Sequence, residues 1–438
     1  MTTARTIIED RTLLAERLAD ARSRTDELFD LLAPGALHER PIPERHRLIF
    51  YLGHVEAFDW NLIPRGALGR PSFDSAFDQL FAFGIDPVDG GLPNEPASDW
   101  PPVEKVREYN RRAREAVDRA LDHAGEAAPE LRDGTLIQVA IEHRLMHAET
   151  LAYLLHQLPT NHKRPPALVA PPPPRALKRR MVRIPAGRAA LGLGRDTAFG
   201  WDNEFDEHVV EVPSFQIDLT QVTNGGFLEF LRAGGYENRR WWADDDWAWQ
   251  SRRPSQNPHD WLRRSDGWYL RGMFHETQLP LDAPVVVSLA EARAYARWAG
   301  KRLPTEAEFH RAAYGTPDGH ERAYPWGEDE PEARHGNFDF HGWDPAPVGS
   351  FPAGDSAFGI ADLVGNGWEW TATTFGPFDG FVPFPFYAGY SANFFDGQHF
   401  VMKGGSPRTA ACMLRRSFRN WFQPHYPYAC TTFRLVTR

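Results

Sequence analysis

Along residues 6–32 the apolar side chains Ile7, Leu13, Leu14, Leu18, Leu28, Phe29 and Leu32 recur among charges at helical spacing. That period predicts a helix with one buried face. Residues 45–62, "RHRLIFYLGHVEAFDWNL", predict a second helix, and "VEKVREYNRRAREAVDRALDHA" and "GTLIQVAIEHRLMHAETLAYLLHQL" two more, after a loop rich in Pro, Gly and Asp. Four helices in the first part of the chain suggest an antiparallel bundle. The prolines of "PTNHKRPPALVAPPPPRALKRR", residues 159–180, cannot sustain a helix and predict an extended connector. Beyond it the period shortens to strand-like runs, "MVRIPAG", "HVVEVPSFQID", "FVMKGGS" and "TTFRLVT", with helices expected at "LAEARAYARWAGK" and "TEAEFHRAAYG". The expected organisation is a helical domain over 1–160, a linker over 161–178 and a mixed α/β domain with long irregular loops over 179–438.

The length of 438 residues suits two domains, and 42% hydrophobic residues is a globular composition. With 49 Lys+Arg against 59 Asp+Glu the formal charge is −10. That balance gives no electrostatic reason to expect nucleic acid or an anionic membrane as partner. Cys412 and Cys430 are the two cysteines, which excludes a disulfide framework or a thiolate-rich metal site. The first twenty residues carry charges throughout, and no run approaches a membrane span, so a cytoplasmic location is expected.

In "IEHRLMHAET" a helix sets His143 and His147 about 40° apart around the axis and about 6 Å apart along it, so both imidazoles can reach one ion. Glu149 points elsewhere and suits orienting a neighbour better than ligation. His54, in the apolar helix "LIFYLGHVEAF", is the candidate third ligand, because a buried imidazole needs a partner. Two histidines on a solvated helix face are the alternative reading. Three neutral imidazoles suit zinc, iron or copper alike.

"HRLMHAE", with His54 upstream, resembles the iron site of the DinB-like domain, a four-helix bundle, in ergothioneine-synthesising sulfoxide synthases. The second half resembles the formylglycine-generating-enzyme (sulfatase-modifying factor) fold, a C-type-lectin-like mixed fold. The segments that carry this are "GWDNEFDEHVVEVPSFQIDLTQVTNGGFLEFL", "YPWGE", "FGIADLVGNGWEWT", "KGGS" and "RRSFRNWF". The resemblance implies a non-haem Fe(II) on His54, His143 and His147. It also implies hercynine bound beside the metal at the domain interface, and O2-dependent coupling of a sulfur or selenium donor to imidazole C2. Hercynine's quaternary ammonium has no N–H to donate, so aromatic faces and carboxylates must hold it. Asn420 and Trp421 fit the family's substrate-facing position, and Arg416 and Arg419 could pair with a substrate carboxylate. Trp368 and Trp370 read as core.

Two departures bear on the donor. Phe378 stands where synthases that use γ-glutamylcysteine carry a tyrosine, so either another tyrosine, Tyr387 or Tyr390, takes the role of proton donor or the chemistry is different. The loop at 84–102 contains no Arg or Lys for a glutamyl carboxylate. Both suggest a neutral donor such as a selenosugar, as in the selenoneine synthases, with a thiol donor such as cysteine as competitor. Cys412 is followed by Ser417 where formylglycine-generating enzymes have a second cysteine, so that activity is not expected, and Cys412 reads as a small buried residue. A zinc-dependent DinB-like thiol transferase and a metal-free ligand-binding module are the rivals from other classes.

Overall fold

The computed structural model describes residues 11–82, 95–122 and 129–438. The chain divides into two compact units, Met1–Pro166 with Asp196–Phe199, and Ala167–Arg195 with Gly200–Arg438.

The first unit contains α1 (Arg11–Asp30), α2 (Leu48–Trp60), α3 (Ser75–Leu80), α4 (Val103–Asp122), α5 (Pro129–Arg132) and α6 (Thr135–Gln157). The four long helices lie where the periodicity predicts them, although residues 6–10 and 123–124 of those segments lie outside the described residues. α1 packs on α6, and α2 packs on both α4 and α6. Every residue of α2 except Phe58 is buried, as expected of a helix apolar on all sides. α2 runs on into a π-helical turn, Asn61–Ala67, that contains Pro64. Proline has no N–H to give to an α-helical bond, and the widened turn accommodates it.

Charges are buried where these helices meet. Arg144 of α6, with no exposed surface, donates to Glu56 (2.8 and 2.9 Å), Asp59 (2.6 Å) and the Val55 carbonyl (3.0 Å) of α2. Glu56 also accepts from Arg114 of α4 at 2.6 Å. Burial raises the Glu56 pKa, but Arg144 and Arg114 outweigh it and hold the group at about 2.

Residues 167–180 contain no helix or strand and are mostly exposed. Their Arg175 pairs with Asp355 of the second unit. That unit begins with β1 (Met181–Ile184), β2 (Gly187–Leu191), β3 (His208–Val212) and β4 (Phe215–Asp218). α7 (Asn224–Arg232) and α8 (Asp244–Gln250) follow, then β5 (Trp261–Arg264), β6 (Gly267–Arg271) and β7 (Glu276–Gln278). α9 (Leu289–Trp298), α10 (Glu306–Tyr314), β8 (Trp368–Thr374), β9 (Phe400–Lys403), β10 (Asn420–Phe422), β11 (Thr431–Thr432) and β12 (Val436–Thr437) complete it. The sheets run β1-β4-β12, β10-β9-β8-β11, β2-β3 and β5-β6-β7. The β5–β7 sheet and helices α7 and α8 lie outside the predicted segments.

α9 and α10 both start at capping boxes, Ser288 with Glu291 and Thr305 with Glu308, which satisfy their first amides. The core gathers Ile184, Phe215, Ile217, Phe309, Ile360 and Val436. Trp368 and Trp370 are buried in β8, and between them Glu369 pairs with the fully buried Arg434 at 2.6 Å. Among the described residues no helix is long and apolar enough to cross a membrane.

Arg144→Leu would leave Asp59 buried without its cation, which costs about 3–5 kcal/mol. Hydrogen exchange in α2 and α6 should accelerate accordingly, and unchanged protection would show that the ion pair does not hold these helices together.

Candidate metal centre

His143 and His147 lie one turn apart on α6 and His54 lies on α2, all three buried. The Nε2 atoms of His54 and His147 are 3.2 Å apart, as are those of His147 and His143. One ligand atom from each lies within 4.8 Å of the others.

The outer nitrogen of His54 settles its tautomer. Nδ1 lies 2.7 Å from the Phe81 carbonyl. A carbonyl only accepts, so Nδ1 carries the hydrogen and Nε2 presents a lone pair to the cluster. Burial depresses the His54 pKa to about 4, with His46 and Arg144 pushing the same way against the Phe81 bond. Burial likewise drives His143 and His147 well below the ordinary value, helped by His147 and His54 for the first and by His54 and Arg144 for the second. All three are therefore neutral at pH 7, the state a metal ligand requires.

Two nitrogens about 2.0–2.1 Å from one ion are separated by roughly 2.9 Å at a right angle and 3.4 Å at the tetrahedral angle. The observed 3.2 Å falls between these limits. One hydrogen on His147 Nε2 could not satisfy both contacts, whereas a cation would satisfy all three lone pairs. The donor set fits a metal ion. Aromatic rings hold the ligands in place: Phe58 stacks on His143 with centroids 3.4 Å apart, and Phe50 on His54 at 4.9 Å. Glu149 is half-buried and outside the cluster.

The substrate-facing candidates lie in the second unit. Trp421 stacks on Phe375 at 4.1 Å and meets Tyr390 edge-on at 5.5 Å. Tyr390 stacks on Trp201 at 3.9 Å, and Tyr387 lies 5.6 Å from Tyr390. Arg419 stands 4.1 Å over the Phe378 ring. Phe378, Tyr387, Tyr390, Arg419 and Trp421 therefore form one aromatic cluster. Asn420 adjoins it, with its Oδ1 accepting from the Trp421 amide. Arg416 points away, to Glu321 at 2.8 Å and Glu207 at 3.6 Å. The buried Arg419 donates to Glu306 at 2.9 Å and to the carbonyls of Asn203 and Gly376. Sequence reading did not single out Trp201, Phe375 or Glu306, since nothing in their local pattern distinguishes them from core.

Two expectations change. Cys412 is half-buried rather than buried, because it sits in the short turn Ala411–Met413; Cys430 is the buried cysteine. Ser417, at the other position of the absent cysteine pair, donates to the buried Glu204 at 2.7 Å. Residues 84–94 of the loop without cations lie outside the described residues, but Glu95 is described. Its carbonyl accepts from Arg40 and Arg47, and its carboxylate from Arg40 at 3.2 Å. The chain before α2 thus brings to the loop the cations that its own sequence lacks.

Because His54 titrates at about 4 when folded and near 6.5 when unfolded, the unfolded chain alone takes up a proton between those values. The metal-free protein should lose about 3 kcal/mol of stability for this histidine as the pH falls from about 6.5 to about 4. His143 and His147 shift the same way and add to the loss. Urea unfolding across this range should show a smaller loss in His54→Leu; an identical profile would mean His54 is not buried neutral.

Residues 17–151 match the DinB superfamily, and residues 167–438 match the Sulfatase-modifying factor enzyme 1-like domain. Hercynine oxygenase of Mycolicibacterium thermoresistibile is 35% identical over 427 residues, covering 95% of this chain and 93% of that protein. Hercynine oxygenase of Mycobacterium tuberculosis is 39% identical over 324 residues, 73% of this chain and 75% of that protein. Ergothioneine biosynthesis protein 1 of Neurospora crassa is 29% identical over 499 residues, covering 93% of this chain and 55% of that protein. With both domains matched and one such enzyme aligned over almost the whole of both chains, this protein belongs to the hercynine oxygenase family of enzymes.

Proposed function

We propose that the chain is a non-haem iron(II) enzyme that uses O2 to join a sulfur donor to imidazole C2 of hercynine, an ergothioneine-type sulfoxide synthase. The observation that carries this reading is the convergence of three buried, neutral imidazoles in a chain of this family. Bound by His54, His143 and His147, iron(II) would supply the redox chemistry through which O2 oxidises the donor. The protein's part is positional. Neutral ligands leave the ion's charge uncompensated, and packing by Phe50 and Phe58 fixes the ligand rings.

Aromatic faces suit hercynine's quaternary ammonium, and the cluster of Trp421, Tyr390, Tyr387 and Phe378 supplies them. Asn420 supplies an amide for hydrogen bonding to the zwitterion. Arg419, engaged with Glu306, orients Phe378 rather than meeting a substrate carboxylate. Arg416 is likewise engaged, with Glu321 and Glu207. Phe378 has no hydroxyl, so Tyr387 or Tyr390 serves as proton donor.

The names of the relatives favour a sulfur donor. Arg40 is matched by the Glu95 carboxylate, but Arg47, which reaches only the Glu95 carbonyl, weakens the argument that an acidic donor would find no cation at the loop. A selenosugar donor is the second reading, supported by the phenylalanine at 378.

Elemental analysis of the purified protein should find iron; zinc would favour a thiol transferase. His147→Ala should lose iron and O2-dependent turnover of hercynine, and a fully active variant would refute the ligand set. In competition between γ-glutamylcysteine, cysteine, a thiosugar and a selenosugar, product mass should show a thiol preferred. A dominant selenium product would transfer the chain to the second reading.

A further inference from the structure

Gly53 immediately precedes His54 in the middle of α2. Glycine in a helix interior is disfavoured relative to alanine by about 1 kcal/mol, so its presence here calls for a steric reason. A Cβ on residue 53 would lie within 2.6 Å of three ring carbons of Phe81. That ring is fully buried and bordered by Phe50, Phe77, Trp100 and Tyr109, which leaves it no room to turn away.

Phe81 is also the residue whose carbonyl accepts from His54 Nδ1. Its position is set from the other side by α3, which it terminates. Asp74 caps α3 by accepting from the Phe77 amide. The buried Asp78 accepts from Trp60 Nε1 at 3.0 Å and Tyr109 Oη at 2.8 Å, tying α3 to the end of α2 and to α4.

We infer that Phe81 is the positioning residue of the metal centre, and that Gly53 is required so that Phe81 can approach closely enough to fix the tautomer and aim of His54. The inference rests on the metal reading above. α3 delivers the carbonyl, and the missing side chain at 53 lets it arrive. Outer partners of a ligating histidine of this kind typically alter metal affinity by about 10–100-fold.

Co(II) titration of the metal-free full-length protein, followed by its visible absorption, tests this. Gly53→Ala should bind Co(II) about 10–100-fold more weakly than wild type while keeping its helical circular dichroism. Gly53→Ala/Phe81→Leu makes room for the methyl while keeping the main-chain carbonyl, and should recover most of the loss. Equal affinity in wild type and Gly53→Ala would overturn the positioning role and leave the metal centre standing, as would a double variant no tighter than the single one. Failure of the wild type to bind Co(II) would instead remove the metal reading and this inference together. Nitrogen-15 spectra of histidine-labelled, metal-free wild type, assigned with His54→Gln, add a measurement that needs no folded Gly53 variant. They should show His54 as the Nδ1–H tautomer, and the Nε2–H form would overturn the proposal.

Discussion

The candidate metal centre depends on one buried ion-pair network, in which Arg144 reaches across from α6 to Glu56 and Asp59 on α2. Arg144 directly follows His143, and Glu56 lies two residues beyond His54. Fixing these charges against one another therefore fixes the axial register of the two helices that carry the imidazoles. Apolar packing alone would be a weaker guide, since α2 is apolar on nearly every side and offers no preferred face. Taking charges out of water is costly, and such a pair adds little net stability over apolar residues of the same shape. The guanidinium fork does penalise a slipped register heavily, because any slip leaves a carboxylate buried and unpaired.

The same network shapes the electrostatics of the site. Arg144 adds to burial in depressing the pKa of all three histidines. Its own charge is already matched by Glu56 and Asp59. The cluster therefore offers three buried, neutral nitrogen donors with no carboxylate among them.

How far the sequence made this legible follows from the range of each interaction. His143 and His147 share a helix face at a spacing that can be read directly. His54 could be proposed only because a histidine in an apolar helix must find a partner; the partner depends on a register set by Arg144, which looks in sequence like any charged residue on an amphipathic helix. Gly53 and Phe81 are separated by a turn, a short helix and a π-helical segment, so their close approach leaves no local trace. The surroundings of the loop at 84–102 were hidden for a related reason: its own residues lack cations, but Arg40 and Arg47 come to Glu95 from a segment about fifty residues earlier. In the second unit the capped helices and the longer strand runs were visible. The aromatic cluster was visible only in parts, since Trp201, Phe375 and Trp421 are far apart along the chain.

The second unit bears on how the cation of the proposed substrate would be held. The buried Arg434 and Arg419 are matched to carboxylates within the fold, Glu369 and Glu306, and the half-buried Arg415 to the buried Glu204. Each such pair cancels its own charge, so these residues contribute rigidity more than a field acting on a ligand. What the cluster turns outward is half-buried ring surface, Trp421, Tyr387 and Phe378. Ring faces attract a cation through their quadrupole without needing a hydrogen to accept, and a quaternary ammonium has none to give. A site built to bind a primary amine would instead need acceptors pointed at it. Ring faces of this kind would suit the quaternary ammonium of the proposed substrate, and the Arg419–Glu306 pair holds the guanidinium that lies over Phe378.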